Sequence, residues 1–158
     1  CIFCSIIDGK VDSKKIFEDE SVVAVIDINP ANLGHILVIP KKHYSVSGQL
    51  SDEESGHVFV IANKIAKLLY DQLKCEGTNI LITNGGVAGQ KIEHFIVHVI
   101  PRYKDDGIAL EWNGKKVNME ELDKVWGLLR GKIVFEQKVE EQPVVEEVND
   151  YSEEERIP

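Results

Sequence analysis

The chain has 158 residues, of which 43% are hydrophobic, a size and composition that suit one globular domain with a real core. The formal net charge is −9, but residues 136–158 carry −7 of it, from nine acidic and two basic side chains. The nearly neutral remainder argues against duplex nucleic acid as a partner, because duplex binding depends on neutralising phosphates. No apolar run reaches membrane-spanning length and no signal-peptide pattern opens the sequence, so we expect a cytoplasmic protein without a membrane partner.

This uneven charge predicts two parts. We expect a folded domain over residues 1–135 and an acidic C-terminal tail over residues 136–158. A short segment with so many like charges is typically solvated or disordered. A tail that binds a partner is the alternative.

The first elements in chain order are strands. Alternating and β-branched residues predict strands over residues 16–18 and 22–27, joined by a turn at 19–21 into a hairpin. Asn29-Pro30 interrupts the pattern, and a third strand follows over residues 35–39.

The middle of the chain predicts a long helix. Ser51 and Glu54 have the spacing of a capping box, and apolar residues continue at helical spacing to about residue 74. The remaining predicted elements are a fourth strand over residues 79–83, a fifth over 94–101 and a second helix over 119–129, capped by Asn118. Strands that outnumber helices, with hairpin connections, predict an α+β fold in which helices cover an antiparallel sheet.

The fifth predicted strand contains two histidines. Side chains alternate along a strand, so His94, Ile96 and His98 share one face, while Phe95 and Val97 share the other. An isoleucine therefore occupies the middle of what would otherwise be a row of three histidines.

Two of the three cysteines lie close together at the start of the chain. The pair Cys1 and Cys4 is compatible with a redox pair, half of a zinc site or two unrelated thiols. Cys75 has no nearby cysteine and is expected to be a buried or free thiol.

Three segments together resemble the histidine triad (HIT) family of nucleotide hydrolases and nucleotidyl transferases. They are the His94-Phe-Ile-Val-His98 segment, the glycine-rich loop of residues 84–90 and the segment of residues 27–43. The resemblance covers roughly residues 1–130. It implies a five-stranded antiparallel sheet, with one long helix and a C-terminal helix, that is extended by homodimerisation.

The resemblance indicates which position Ile96 occupies in the family signature. In the family signature His-φ-His-φ-His-φ-φ, where φ is apolar, His94 and His98 match the first and third histidines, and Ile96 stands where the family keeps its nucleophile. Isoleucine has no lone pair with which to attack phosphorus. Three explanations are open: a natural member that binds without turnover, an engineered variant that traps substrate, or another residue, such as His98, acting in its place.

The same resemblance implies a nucleotide site and a metal site. The residues matched to nucleoside binding are Asp27 and Ile28, and those matched to phosphate binding are Asn84, Gly89, Gln90 and His98. His35 would orient a triad histidine, and Lys91 replaces a small hydroxyl residue. The apolar candidates for the base are Phe3, Ile6, Ile7 and Ile26. The implied structural zinc ligands are Cys1, Cys4, His43 and His94.

These features predict a protein that binds purine nucleotides. Its class would be the nucleoside phosphoramidate or dinucleoside polyphosphate hydrolases, with little or no activity because of Ile96. The ligand would be a purine nucleoside monophosphate or a related nucleotide. One alternative is a non-catalytic nucleotide sensor or adaptor that acts through its acidic tail, and another is a zinc-stabilised interaction domain.

Overall fold

The computed structural model describes residues 1–135. Its helices and strands, in chain order, are α1 (Ile2–Ile7), β1 (Lys15–Glu18), β2 (Val22–Ile26), β3 (Ile36–Pro40), α2 (Asp52–Leu73), β4 (Gly77–Leu81), β5 (Val97–Arg102) and α3 (Met119–Leu129). The α+β prediction, with five strands, one long helix and a C-terminal helix, is confirmed. The predicted acidic tail and its role lie outside the described residues.

The five strands form one antiparallel sheet in the order β1-β2-β3-β5-β4. The β1–β2 hairpin closes where the Asp19 carboxylate accepts hydrogen bonds from the amides of Ser21 and Val22, at 2.9 and 2.8 Å. Strands β2 and β3 consist of apolar residues and are almost fully buried, because both of their faces are covered.

Alternate strand residues contribute to two apolar clusters. The larger one, called the α2-side cluster, joins α2 to one face of the sheet. The smaller one, called the α1-side cluster, consists of Phe3, Val23, Val25, Leu37 and Ile39, with Ile6, Ile7 and Ile96 packed against it. The sheet therefore separates the long helix from the short amino-terminal helix.

Helix α2 begins at the predicted capping box. The Ser51 hydroxyl accepts a hydrogen bond from the Glu54 amide at 3.2 Å, and the Glu54 carboxylate accepts one from the Ser51 amide at 2.9 Å. Its buried residues recur three or four positions apart, which fits the periodicity that predicted the helix.

Two strands are displaced from their predicted bounds. Strand β5 begins at Val97 instead of residue 94. Its register with β3 would next bring Ile96 opposite Ile39 and then Phe95 opposite Pro40, which has no amide hydrogen to donate. The Phe95 amide instead donates to the carbonyl of Tyr44. Strand β4 correspondingly ends at Leu81, opposite His98. Helix α1 was not predicted.

The chain divides into two units between Leu110 and Glu111. The first contains the whole sheet with α1 and α2. The second contains α3, whose bounds match the prediction and whose Asn118 side chain accepts a hydrogen bond from the Glu121 amide at 2.8 Å. Among residues 1–135, no helix combines the length and apolar character needed to cross a membrane.

Candidate functional site

The segment from His94 to His98 directs alternate side chains to opposite faces of the sheet. Phe95 and Val97 belong to the α2-side cluster, whereas Ile96 packs against the α1-side cluster. This alternation matches the prediction, although only Val97 and His98 of this segment lie within β5 itself.

A cluster of cysteine and histidine side chains lies beside this segment. Its members are Cys1, Cys4, His43 and His94, whose potential ligand atoms all lie within 4.8 Å of one another. Cys4 Sγ is 3.3 Å from His43 Nδ1 and 3.6 Å from His94 Nδ1. Cys1 Sγ is 3.4 Å from His94 Nδ1. In a tetrahedral zinc site, bonds of ~2.3 Å to sulfur and ~2.0 Å to nitrogen separate these ligands by ~3.5 Å. The donor set and its spacing therefore fit zinc.

The hydrogen bonds of His94 leave a suitable nitrogen for a cation. Its ring is only 1% exposed, and its Nε2–H donates to the carbonyl of Pro40 at 3.0 Å. That bond assigns the hydrogen to Nε2, so Nδ1 keeps its lone pair and faces the two sulfur atoms. Burial also lowers the pKa of His94 below its ordinary value, which favours the neutral, metal-binding form.

A second histidine pair lies farther along the strand. His35 Nε2 and His98 Nδ1 are 3.0 Å apart, and the Ala31 amide donates to His35 Nδ1 at 3.2 Å. Because His35 Nδ1 accepts, the neutral ring carries its hydrogen on Nε2 and donates it to His98. His98 in turn carries its own hydrogen on Nε2, which makes that nitrogen a donor.

Both rings of this pair are held in the neutral form. Burial lowers the pKa of His98, and the Asp27 carboxylate opposes only part of that effect. Burial likewise lowers the pKa of His35, although Asp27 Oδ2 lies 3.4 Å from its Nδ1. The pair therefore offers a hydrogen-bond donor without a full positive charge.

The histidine pair and Ile96 line a cleft of about 610 Å³, a volume in the range of small-molecule sites. Its apolar part contains Ile2, Phe3, Ile6, Val11, Val25, Ile26, Ile28 and Leu37. Its polar part includes Asp12, Ser13, Asp27, Thr83, Gly89, Gln90 and Lys91. An apolar slot thus continues into a region with amides, imidazoles and one lysine.

The glycine-rich loop is held in place by its own side-chain amides. Asn84 Oδ1 accepts from the Ser47 amide at 2.9 Å, and Asn84 Nδ2 donates to the Ser47 hydroxyl at 2.8 Å. Gln90 Nε2 donates to the carbonyls of Ser45 and Ile92, and its Oε1 accepts from the Gly85 amide at 2.7 Å. These bonds fix a turn in which Gly85 and Gly89 both have positive φ.

The loop between Asp27 and His35 is held through Asn32 at the end of β5. Asn32 Nδ2 donates to the Pro101 carbonyl and to the Asp106 carboxylate, both at 2.9 Å. Arg102 donates to both carboxylate oxygens of Asp106, and this guanidinium holds the pKa of Asp106 well below its usual range. The network ties the loop to the end of β5.

Most of the predicted site residues come together. All four predicted metal ligands form the cluster. The predicted residues that line the cleft are Phe3, Ile6, Ile26, Asp27, Ile28, His35, Gly89, Gln90, Lys91, Ile96 and His98. Asn84 and Ile7 are not among its lining residues, and Cys75 is buried in the α2-side cluster. Sequence reasoning missed Val11, Asp12, Ser13 and Thr83, which belong to no motif.

Residues 8–105 match the family model described as HIT domain. The chain belongs to the HIT domain family. An uncharacterised HIT-like protein of Methanocaldococcus jannaschii is 41% identical over 131 residues, covering 83% of this chain and 99% of that protein. The adenosine 5′-monophosphoramidase of Schizosaccharomyces pombe is 32% identical, covering 84% of this chain and 98% of that enzyme.

Solved structures of HIT proteins have the same fold. A HIT family member from Bacillus subtilis is 36% identical, with a TM-score of 0.80, covering 86% of this chain and 99% of that one. A zinc-bound histidine triad protein from Mycobacterium smegmatis is 32% identical, with a TM-score of 0.66, covering 73% of this chain and 84% of that one.

Proposed function

We propose that this HIT protein binds a purine nucleoside monophosphate in the cleft and hydrolyses phosphoramidates weakly or not at all. The observation that carries the proposal is the arrangement of Ile96 and His98. Both line the same cleft as the glycine-rich loop. The cleft therefore has a hydrogen-bond donor for phosphate, the His98 imidazole, and an apolar side chain, Ile96, at the position of the nucleophile. The cytoplasmic location stays a prediction.

The nucleoside would occupy the apolar part of the cleft. Phe3, Ile6 and Ile26 provide surfaces for a planar base, and Ile28 is 85% exposed at the rim. Asp27 Oδ1 already accepts from the Asn29 amide at 2.8 Å, but a carboxylate retains further lone pairs that suit ribose hydroxyls. The preference for purine is supported by the adenosine specificity in the name of the fission yeast relative.

The phosphate would lie between the glycine-rich loop and His98. His98 presents Nε2–H as a donor. The amides of Ala88, Gly89 and Gln90 already donate to the carbonyls of Gly85 and Gly86, so His98 is the main donor proposed for the phosphate. The side chains of Asn84 and Gln90 would act by holding the loop, since their amides bond to the protein. His35 would position His98 by donating to its Nδ1.

The loss of turnover follows from the side chain at position 96. In an active enzyme of this type, an imidazole nitrogen attacks phosphorus, the bond to the leaving group breaks, and water then releases the nucleotide from the histidine. Ile96 has no such nitrogen and packs against the α1-side cluster. Removal of a covalent nucleophile commonly lowers the rate by about 10⁴–10⁶-fold.

The cysteine–histidine cluster would hold a structural zinc ion. Four protein ligands leave no open position for substrate, which is the usual arrangement of a structural site. Bound zinc would cross-link α1 to the segment of residues 94–98. It would take no part in the chemistry of the nucleotide. The zinc-bound mycobacterial relative supports this assignment.

A homodimer that extends the sheet is part of the proposal, and β4 is the edge best suited to it. The outer edge of β1 carries Lys15 and Glu18, paired at 2.9 Å, and charged side chains discourage strand addition. Strand β4 has no charged residue and its side chains are half-buried. Analytical ultracentrifugation of the chain and of a Thr78→Lys variant tests this, with a shift to monomer expected in the variant.

Calorimetry and a gain-of-function variant test the main proposal. We expect AMP and GMP to bind and pyrimidine nucleotides to bind more weakly. We expect Ile96→His to raise hydrolysis of adenosine 5′-phosphoramidate by at least ~10⁴-fold, since it restores a nucleophile. Ile96→Ala is the matched control, because it changes the same side chain without adding a nitrogen. Absence of mononucleotide binding, or hydrolysis by the parent chain at the rate of Ile96→His, would overturn the proposal.

A further inference from the structure

Among the described residues that line the cleft, Lys91 is the only lysine or arginine. The lining also contains the carboxylates of Asp12 and Asp27. Within residues 1–135, the Lys91 ammonium group makes no hydrogen bond or ion pair, whereas most lysines near the sheet are paired with an acid. This cation is therefore available to a ligand.

The backbone around Lys91 is fixed although its side chain is exposed. The side-chain amide of Gln90, the residue before Lys91, donates to the carbonyls of Ser45 and of Ile92, the residue after it. The Cα of Lys91 is thus placed beside the glycine-rich loop, while four methylene groups let its ammonium group extend beyond that loop.

The neutral state of the histidine pair makes this charge important. His98 donates a hydrogen bond, but burial keeps its pKa low and its ring uncharged. A nucleoside monophosphate carries about two negative charges at neutral pH, since the second phosphate pKa is near ~6. With His98 as the donor to the first phosphate, Lys91 is the cationic side chain in the described lining that can pair with the added charge of a second phosphate.

We propose that Lys91 makes the cleft selective for a nucleoside diphosphate over the corresponding monophosphate. The inference rests on the proposed nucleotide site and names its ligand more closely. The first phosphate accepts a hydrogen bond from His98 beside the glycine-rich loop, and the second, terminal phosphate pairs with the Lys91 ammonium group. Because lysine acts here as a point charge on a flexible side chain, arginine at position 91 should retain the preference for the diphosphate. An uncharged residue at that position should lose it.

Calorimetry with AMP and ADP, on the full chain, tests this selectivity. We expect the parent chain to bind ADP about 10-fold more tightly than AMP, the effect of one hydrogen bond to a charged group. Lys91→Ala should bring the two affinities within about 2-fold, mainly by weakening ADP, and Lys91→Arg should retain the preference. The preference for ADP over AMP should also decrease as the salt concentration rises from about 50 to about 500 mM, because salt screens an exposed charge pair.

The control is Lys64→Ala, which removes one exposed lysine of α2 outside the cleft. It should leave the ratio of ADP to AMP affinity unchanged. If the parent binds both ligands equally, or if Lys91→Ala keeps the preference, the inference about Lys91 is wrong while the nucleotide site stands. If neither ligand binds, the proposed function itself is wrong, and the inference fails with it.

Discussion

The cysteine–histidine cluster and the cleft each depend on an imidazole from the same segment, but they use opposite nitrogen chemistry. In the cluster, His94 Nε2 donates to the Pro40 carbonyl, so the free nitrogen is an Nδ1 lone pair. In the cleft, His98 Nδ1 accepts from His35, so the free nitrogen is an Nε2 donor. A lone pair suits a cation and a donor suits an anion. The partner of the other ring nitrogen therefore decides what each histidine can bind.

This comparison implies that the two regions can be impaired separately by mutation, except through α1. Cys1 immediately precedes that helix and Cys4 lies in it, as do Phe3 and Ile6, which line the cleft. Six residues are too few to form a stable helix alone. Within residues 1–135, its side-chain hydrogen bonds to other elements are only those between these cysteines and the cluster histidines. Metal binding is thus expected to hold one wall of the cleft.

The largest expected effect is that of metal removal. We expect Cys4→Ser to abolish zinc binding and to lower the free energy of unfolding by about 3–4 kcal/mol in zinc at 100–1,000 times its Kd. The corresponding fall in melting temperature is about 10 °C. Differential scanning calorimetry with metal analysis measures both, and AMP affinity should decrease because α1 loosens. Cys75→Ala is the control for loss of a thiol and should retain one zinc per chain. Unchanged metal content in Cys4→Ser would show that the cluster is not the metal site.

The next effect separates the two imidazoles directly. We expect His98→Ala to weaken AMP binding about 10–100-fold, because a hydrogen bond to a charged group contributes roughly 1.5–3 kcal/mol. Zinc content should not change. His43→Ala provides the converse case, since His43 belongs to the cluster and does not line the cleft. It should lose zinc and weaken AMP binding less. Equal effects of the two substitutions on both ligands would contradict the assignment by ring nitrogen.

The neutral histidine pair predicts a pH dependence of stability. Burial lowers the folded-state pKa of both His35 and His98 below the ordinary value of 6.5. The unfolded chain therefore binds protons first as the pH falls, so this contribution to stability is complete above about pH 6.5 and is lost as the pH falls through the folded pKa values. Urea unfolding at pH 7.5, 6.0 and 5.0 measures the loss. The His35→Gln, His98→Asn double variant should show a shallower decrease, and a decrease as steep as that of the parent would show that other groups cause it.

Short-range signals predicted most of the fold. The apolar runs that became β2 and β3 were visible because strands covered on both faces need apolar residues at every position. The caps at Ser51 and Asn118 were visible because capping depends on residues three positions apart. The helix α1 was missed because its position depends on distant contacts more than on its own sequence.

The candidate site was only partly accessible from the sequence. Cys4 and His43 are 39 positions apart and Cys4 and His94 are 90 apart, and the resemblance to HIT proteins, not spacing, connected them. The resemblance also suggested phosphate contacts for Asn84 and Gln90. The partners of these two side chains are the Ser47 hydroxyl and the Ser45 carbonyl, which lie 37 and 45 residues away. No local sequence pattern indicates such bonds. Which nitrogen of His98 is free depends on the Ala31 amide, a contact that only the folded chain reveals.

The smallest expected effect concerns the bond between Asn84 and Ser47. Asn84→Ala removes two reciprocal hydrogen bonds with Ser47, so it should lower the free energy of unfolding by about 1 kcal/mol and weaken AMP binding only a few-fold. Ser47→Ala should have a smaller effect, because it removes only the hydroxyl partner. If Asn84 acts by holding the loop, the two substitutions should be non-additive, with a coupling energy of about 0.5–1 kcal/mol in a double-mutant cycle. Additive losses in AMP affinity would instead indicate that the Asn84 amide contacts the phosphate itself.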